Sequence, residues 1–240
     1  MYNDHPVFEI KKTKDLPYWR YMDLWKFLNL ISTSKLFFPN IDMLGDQNEG
    51  KIPEEVYSWM VDHYKDKYGV KSDHAQNYRR LVEVDLRTKT LISSWTASKN
   101  ESFAMWKMYA KEKLGIGIKT NYERLKESFN KTGSIIYIGE VKYFDLDKPE
   151  YKVGNTFESF LVKNNYYEFE SEVRCITEVL EDEPSVTFKN IEVDLNILIE
   201  EVFISPFASE TGIIDIIEFI KEKNNLDFKI KVSGVNDKSI

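Results

Sequence analysis

Two stretches of the chain crowd hydroxyl, charged and aromatic side chains into a few positions. The first, Ile92-Ser93-Ser94-Trp95-Thr96-Ala97-Ser98, is followed by Met105-Trp106-Lys107-Met108-Tyr109-Ala110; the second runs Lys163-Asn164-Asn165-Tyr166-Tyr167-Glu168-Phe169-Glu170-Ser171-Glu172-Val173-Arg174. Strand side chains alternate between faces, so Ser94 and Thr96 share one face and Trp95 takes the other. Hydroxyls in that position can orient an arginine or hold a ligand, and they also serve in ordinary cross-strand packing. Trp106 and Tyr109 are three apart and share a helix face; they could stack on a planar ring or fill a core. Glu168, Glu170 and Glu172 alternate, so a strand would present three carboxylates side by side and raise the pKa of the last to ionise. Such a row suits a cationic or hydroxyl-rich ligand. Arg174 has the same parity and could neutralise it in a salt-bridge network. If the two stretches meet, they wall a polar pocket with aromatics, the usual construction of a small-molecule site.

Arg20 lies within the aromatic run Pro17-Tyr18-Trp19-Arg20-Tyr21-Met22. A guanidinium there needs an anion, a ring or a path to water. Asp46 and Glu49 sit in Gly45-Asp46-Gln47-Asn48-Glu49-Gly50, where they could bind a cation or a ribose hydroxyl or simply mark a surface turn. Other chemistries lack their residues. Cys175, the single cysteine, stands among apolar neighbours and reads as a core thiol. His5, His63 and His74 have no helical spacing and no cysteine cluster, so no zinc site is expected. Gly115-Ile116-Gly117 is too short for a dinucleotide fingerprint and reads as a tight helix-to-strand turn. Neither a P-loop nor a Gly-x-Ser-x-Gly elbow is present.

The elements that must position these residues follow from periodicity and caps. Pro17–Met22 reads as a strand and Asp23–Ser32 as a helix capped by Asp23. Lys35–Pro39 is a second strand, Asn40–Gly50 a polar loop, and Pro53 opens a helix that Gly69 ends, with Val56, Met60, Tyr64 and Tyr68 on one face. Asp73–Leu86 is helical, Thr90–Thr96 a buried strand, and Asn100–Leu114 a helix capped at Asn100. Ile116–Lys119 is a strand, Asn121–Asn130 a helix, Ser134–Phe144 a strand kinked at Gly139, and Asn155–Val162 helical or irregular. Val173–Leu180 alternates as a strand and pairs with Ser185–Val193. Val202–Ser205 is a strand, Gly212–Lys223 a helix with Ile213, Ile216, Ile217 and Ile220 inward, and Phe228–Val232 a last strand. Without regular βα alternation this order predicts one α+β domain over residues 1–240: a mixed or antiparallel sheet flanked by helices, its core spanning about 17–233. Asn236–Ile240 is expected to be loose.

With 240 residues, 42% hydrophobic and 30% charged, the chain has the composition of a soluble globular protein able to bury a sizeable core. A formal net charge of −7 gives no basic footprint for nucleic acid, and a stripe of Lys107, Lys111 and Lys113 reads as a solvated helix face. The polar start Met1-Tyr2-Asn3-Asp4-His5 is no signal peptide, and no run approaches the ~18 apolar residues that span a bilayer. A cytoplasmic protein with no membrane partner is expected.

Several of these segments together resemble a bacterial family, the domain of unknown function 2971. Arg20-Tyr21, Asp46 to Glu49, Ser94-Trp95-Thr96 with Met105 to Ala110, Gly115 to Ile118, and Lys163 with Tyr167 to Arg174 carry the resemblance, which runs from about Tyr18 to Ser233. The chain departs from that family at the acidic loop, where Asn-Asp-Pro and an aromatic usually precede the Glu. The family name implies no activity. The motif order is also similar to ADP-ribosyltransferases of the arginine–serine–glutamate type: an Arg on the first strand, then a Ser-x-Ser/Thr strand, then Glu-x-Glu before a late strand. That likeness implies NAD as cofactor, with Arg20 on its pyrophosphate and Ser94 bracing Arg20 and the nicotinamide ribose. Glu172 would bond the ribose hydroxyl and stabilise an oxocarbenium-like transition state. Glu170 would position the acceptor, Trp106 or Tyr109 would stack on nicotinamide, and Thr96 would complete the hydroxyl strand. A toxin or phage-defence effector is one such protein. A non-catalytic nucleotide- or anion-binding module anchored by Arg20 and Arg174, and a structural or partner-binding protein, are the competing expectations.

Overall fold

The computed structural model of the chain describes residues 1–46, 48–68, 73–110, 114–146, 155–179, 186–208 and 212–235. Local chemistry sets the elements. The aromatic run forms β1 (Tyr18–Asp23), and its last residue caps α1 (Leu24–Thr33): the Asp23 carboxylate accepts from the Lys26 amide, one of the donors a helix start leaves open. β2 (Lys35–Pro39) follows, then a 3-10 turn at Ile41–Met43. α2 (Glu54–Tyr68) starts behind Pro53, and α3 (Asp73–Arg80) continues through a π-helical stretch, Leu81–Leu86, into α4 (Arg87–Lys89). Next come β3 (Thr90–Ala97), α5 (Phe103–Tyr109), β4 (Gly115–Thr120), α6 (Tyr122–Ser128), β5 (Tyr137–Glu140) and β6 (Lys142–Phe144). A 3-10 turn at Thr156–Phe160 leads to β7 (Val162–Asn164), and another at Asn165–Glu170 to β8 (Glu172–Glu178). β9 (Phe188–Glu192), α7 (Leu195–Leu198), β10 (Glu201–Ile204), α8 (Ile213–Lys223) and β11 (Lys229–Val232) complete the order.

The result is α+β, a seven-stranded mixed sheet of order β11-β10-β4-β1-β3-β8-β5 flanked by helices, with small pairs β2-β9 and β6-β7 beside it. Within the large sheet only β10 and β11 run parallel. The three strands that carry or follow the motif segments, β1, β3 and β8, are consecutive. One pairing is incomplete. β1 matches β4 from Tyr18 through Asp23, and β3 matches β8 from Thr90 through Thr96, but β1 meets β3 only at Tyr18↔Ala97 and Trp19↔Thr96. The sheet is therefore split between β1 and β3. Around the split lie an apolar core that includes Tyr18, Met22, Phe27, Trp95 and Cys175, a second around Met60, Ile92 and Phe160, and a small one of Trp19, Tyr21, Met105, Trp106 and Phe203.

Several boundaries differ from the sequence expectation. Residues 165–170 form a 3-10 turn instead of a strand, because the Asn164 side chain accepts from the Tyr166 amide and Ser171 turns left-handed at φ 43°. The helix expected over Asn100–Leu114 is the seven-residue α5, capped by Ser102, whose hydroxyl accepts from the Met105 amide. The strand over Ser134–Phe144 breaks at Val141 into β5 and β6. β9 pairs with β2, since both edges of β8 are already taken by β3 and β5. On α8, Ile213 and Ile217 are buried, but Ile216 is 47% exposed. Expectations for Gly69, Lys111, Lys113, Leu180, Ser185 and Asn236–Ile240 lie outside the described residues. No helix among the described residues is long and apolar enough to cross a membrane.

Candidate functional site

The split opens a cleft of about 730 Å³, within the ordinary size range of small-molecule pockets. Arg20 lines it from β1, Ser94 and Thr96 from β3, Tyr109 from the end of α5, and Glu170 and Glu172 from the approach to β8. The two distant sequence stretches thus meet, with Arg20 between them. Glu168 stays exposed, because the 3-10 turn replaces the alternation that would have aligned three carboxylates.

At one end the carboxylates are organised by two cations. Arg174 grips both oxygens of Glu172, Nε to Oε1 at 2.8 Å and Nη2 to Oε2 at 2.9 Å, and its Nη1 donates to the Phe160 carbonyl at 2.8 Å. Arg174 also pairs with Glu49. Lys163 Nζ lies 2.7 Å from Glu170, 3.5 Å from Glu172 and 3.3 Å from Glu49, under the Tyr167 ring at 4.6 Å. Two basic side chains thus face three acidic ones, all nearly buried. The remaining bonds fix the orientation. Tyr109 donates to Glu170 Oε1 at 3.0 Å, the Glu172 amide donates to Tyr143 Oη at 2.7 Å, and the Ser94 hydroxyl donates to Glu172. Burial works to raise the Glu172 carboxyl, but Arg174 and Lys163 outweigh it and hold it well below the usual carboxylate range. Burial opposes the charge on Lys163 and Arg174 too, and the carboxylates more than compensate, so both stay protonated. Burial raises the Tyr109 phenol, as does the neighbouring Glu170, so it remains a donor.

Arg20 has a different environment. Its Nη1 donates to Ser93 Oγ, its Nη2 to the Phe37 carbonyl at 3.3 Å, and its guanidinium carbon lies 5.6 Å from the Trp95 ring centre. No carboxylate among the described residues pairs with it, and burial pulls its pKa down to about 10. A half-buried cation with no carboxylate partner among the described residues carries a cost that a bound anion would relieve.

Two roles expected from the sequence therefore change. The hydroxyl on Arg20 belongs to Ser93, while Ser94 serves Glu172. The register explains this: Trp19↔Thr96 sets Arg20 level with Trp95, on the face of Ser93. Trp106 does not reach the cleft. It is fully buried, its Nε1 donates to Glu101 at 3.0 Å, its ring meets Tyr21 edge-on, and it lies where Gly117 leaves room, with a Cβ there only 2.9 Å from the indole. Of the two aromatics only Tyr109, at the last turn of α5, lines the cleft. The sequence assigns no role of their own to Lys163 and Ser93, and it leaves Glu49 between a ligand contact and a surface turn. Gly50 gives the signal for Glu49: it has φ 68° and a Cβ there would press on Phe160 and Ile41, so only glycine turns the chain there. Arg87 holds the same turn through the Glu49 carbonyl.

Compared with known proteins, the chain matches no family model and no curated protein.

Proposed function

We propose that the cleft binds NAD and that the protein breaks its N-glycosidic bond, as an ADP-ribosyltransferase-like enzyme. The observation that carries this reading is convergence: Arg20, Ser94, Thr96, Glu170 and Glu172, from three consecutive strands and the turn before the last, line one cleft. Arg20 supplies the unpaired cation for the pyrophosphate. Glu172, ionised across the neutral range, faces the positive charge that develops at C1′ of the ribose as the bond breaks, and Arg174 and Ser94 fix it beforehand, so no reorganisation accompanies the step. Tyr109 and Tyr167 offer ring faces to the leaving pyridine. The reaction is tested by incubating the full chain with NAD and measuring nicotinamide. The reading predicts steady release that Glu172→Gln suppresses by about 100-fold, the usual cost of losing one preorganised electrostatic group. Intact NAD under all conditions contradicts it.

A second reading is favoured by one feature. Because Arg174 occupies both oxygens of Glu172, the pair can serve as a structural wall, and the cleft as a non-catalytic nucleotide- or anion-binding module. That reading predicts NAD binding without nicotinamide release, and binding that survives Glu172→Gln.

A further inference from the structure

We infer that the acceptor at this cleft is water, so that the protein hydrolyses NAD instead of transferring ADP-ribose to a guanidinium. This rests on the NAD reading above and narrows it. A guanidinium acceptor is drawn by a carboxylate that presents free oxygens, best two at once. Glu170, the carboxylate that the motif order assigns to the acceptor, already has a donor on each oxygen and little open surface. Oε1 accepts from the Tyr109 hydroxyl at 3.0 Å, Oε2 accepts from Lys163 at 2.7 Å, and the residue is 3% exposed. Glu172 and Glu49 do not substitute for it, because Arg174 and Lys163 bridge both. An incoming cation would have to displace an ammonium or a guanidinium already desolvated among these acids, at the cost of leaving a buried charge unpaired. Water needs none of this: it is neutral and small, and one of the lone pairs that the single donors leave on the Glu170 oxygens is enough to orient it.

The step balances without a further reactant. The C1′–N1 bond breaks and its electron pair returns to the pyridinium nitrogen, giving neutral nicotinamide. The water oxygen forms the new bond to C1′, one of its protons stays on the ribose hydroxyl, and the other leaves to solvent. The products are nicotinamide, ADP-ribose and a proton.

The test is a product partition. The full chain is incubated with adenine-labelled NAD, with and without excess agmatine as a soluble guanidine, and nicotinamide, ADP-ribose, ADP-ribosyl-agmatine and labelled protein are quantified. Equal amounts of nicotinamide and ADP-ribose, unchanged by agmatine, are expected. Tyr109→Phe releases Glu170 Oε1 and is expected to raise the agmatine share several-fold; an unchanged share overturns the role given to the Tyr109–Glu170 bond. An agmatine adduct or labelled protein as the main product of the wild-type chain overturns the inference and leaves the NAD reading standing. No nicotinamide release at all removes the NAD reading itself, and this inference with it.

Discussion

Arg174 is a fully buried guanidinium among carboxylates and Arg20 a half-buried one beside Trp95, and their surroundings give them opposite roles. Arg174 has two carboxylates and a carbonyl, whereas Arg20 has a hydroxyl, a carbonyl and a ring. Removing Arg174 strands Glu49 and Glu172 together, so Arg174→Met is expected to cost about 3–5 kcal/mol in urea unfolding at neutral pH. Removing Arg20 deletes a charge that folding disfavours, since its folded pKa lies below its ordinary value. Arg20→Met is therefore expected to raise the melting temperature of the free protein while shrinking the rise that NAD produces in the wild type, measured by thermal shift. A lowered melting temperature would show that the guanidinium is structurally satisfied. The Glu172 shift also sets a pH dependence. Its folded pKa is depressed from 4.5, so its contribution is complete above that value and is lost as pH falls from about 4.5 toward about 2. Urea midpoints across that window should fall less steeply in Glu172→Gln than in the wild type.

At the scale of elements, α5 is held against the sheet by a missing side chain. Trp106 fills the space over Gly117, and a Cβ there would sit 2.9 Å from the indole. Gly117→Ala is expected to destabilise by about 1–3 kcal/mol, the usual cost of overpacking, and a change below the error of a urea titration would contradict this packing. A second tie fastens the N-terminal segment. Glu140 Oε1 on β5 accepts from the amides of Lys11, Lys12 and Thr13 and from the Thr13 hydroxyl, at 2.7–2.9 Å. Glu140→Ala should cost about 2–3 kcal/mol, less than four separate charged bonds because one oxygen serves all, and should expose residues 1–16 to limited proteolysis. These features mark what the sequence shows and what it hides. α1 with its Asp23 cap, β2 and β3 are visible because cap, periodicity and stop signals agree locally. The turn at Asn165–Glu170 is not, because its alternating glutamates imitate a strand and only the Asn164 cap and the left-handed Ser171 break it. Nor is the partner of β9, which depends on which sheet edges other strands leave free.

At the scale of the molecule, the decisive feature is the split between β1 and β3, formed because two strands stay with their outer partners and touch one another at only two residue pairs. Pairing is a non-local property, so no local pattern announces the split. The candidate residues could be read from their types and parity, yet their roles could not: Ser93 takes the Arg20 contact expected of Ser94 while Ser94 turns to Glu172, Trp106 withdraws into packing, and Lys163 becomes the hub of the acidic end once the register is fixed. The cleft that results joins an unpaired cation to a preorganised carboxylate cluster, and the proposed function stands or falls on NAD bridging the two. Calorimetric titration of the full chain with NAD, wild type beside Arg20→Ala, reads that bridge without an intervening step. Saturable one-to-one binding is predicted, weakened by Arg20→Ala roughly 10–100-fold, the loss of a charged hydrogen bond. Absence of binding in the wild type, or equal affinity in the two proteins, would contradict it.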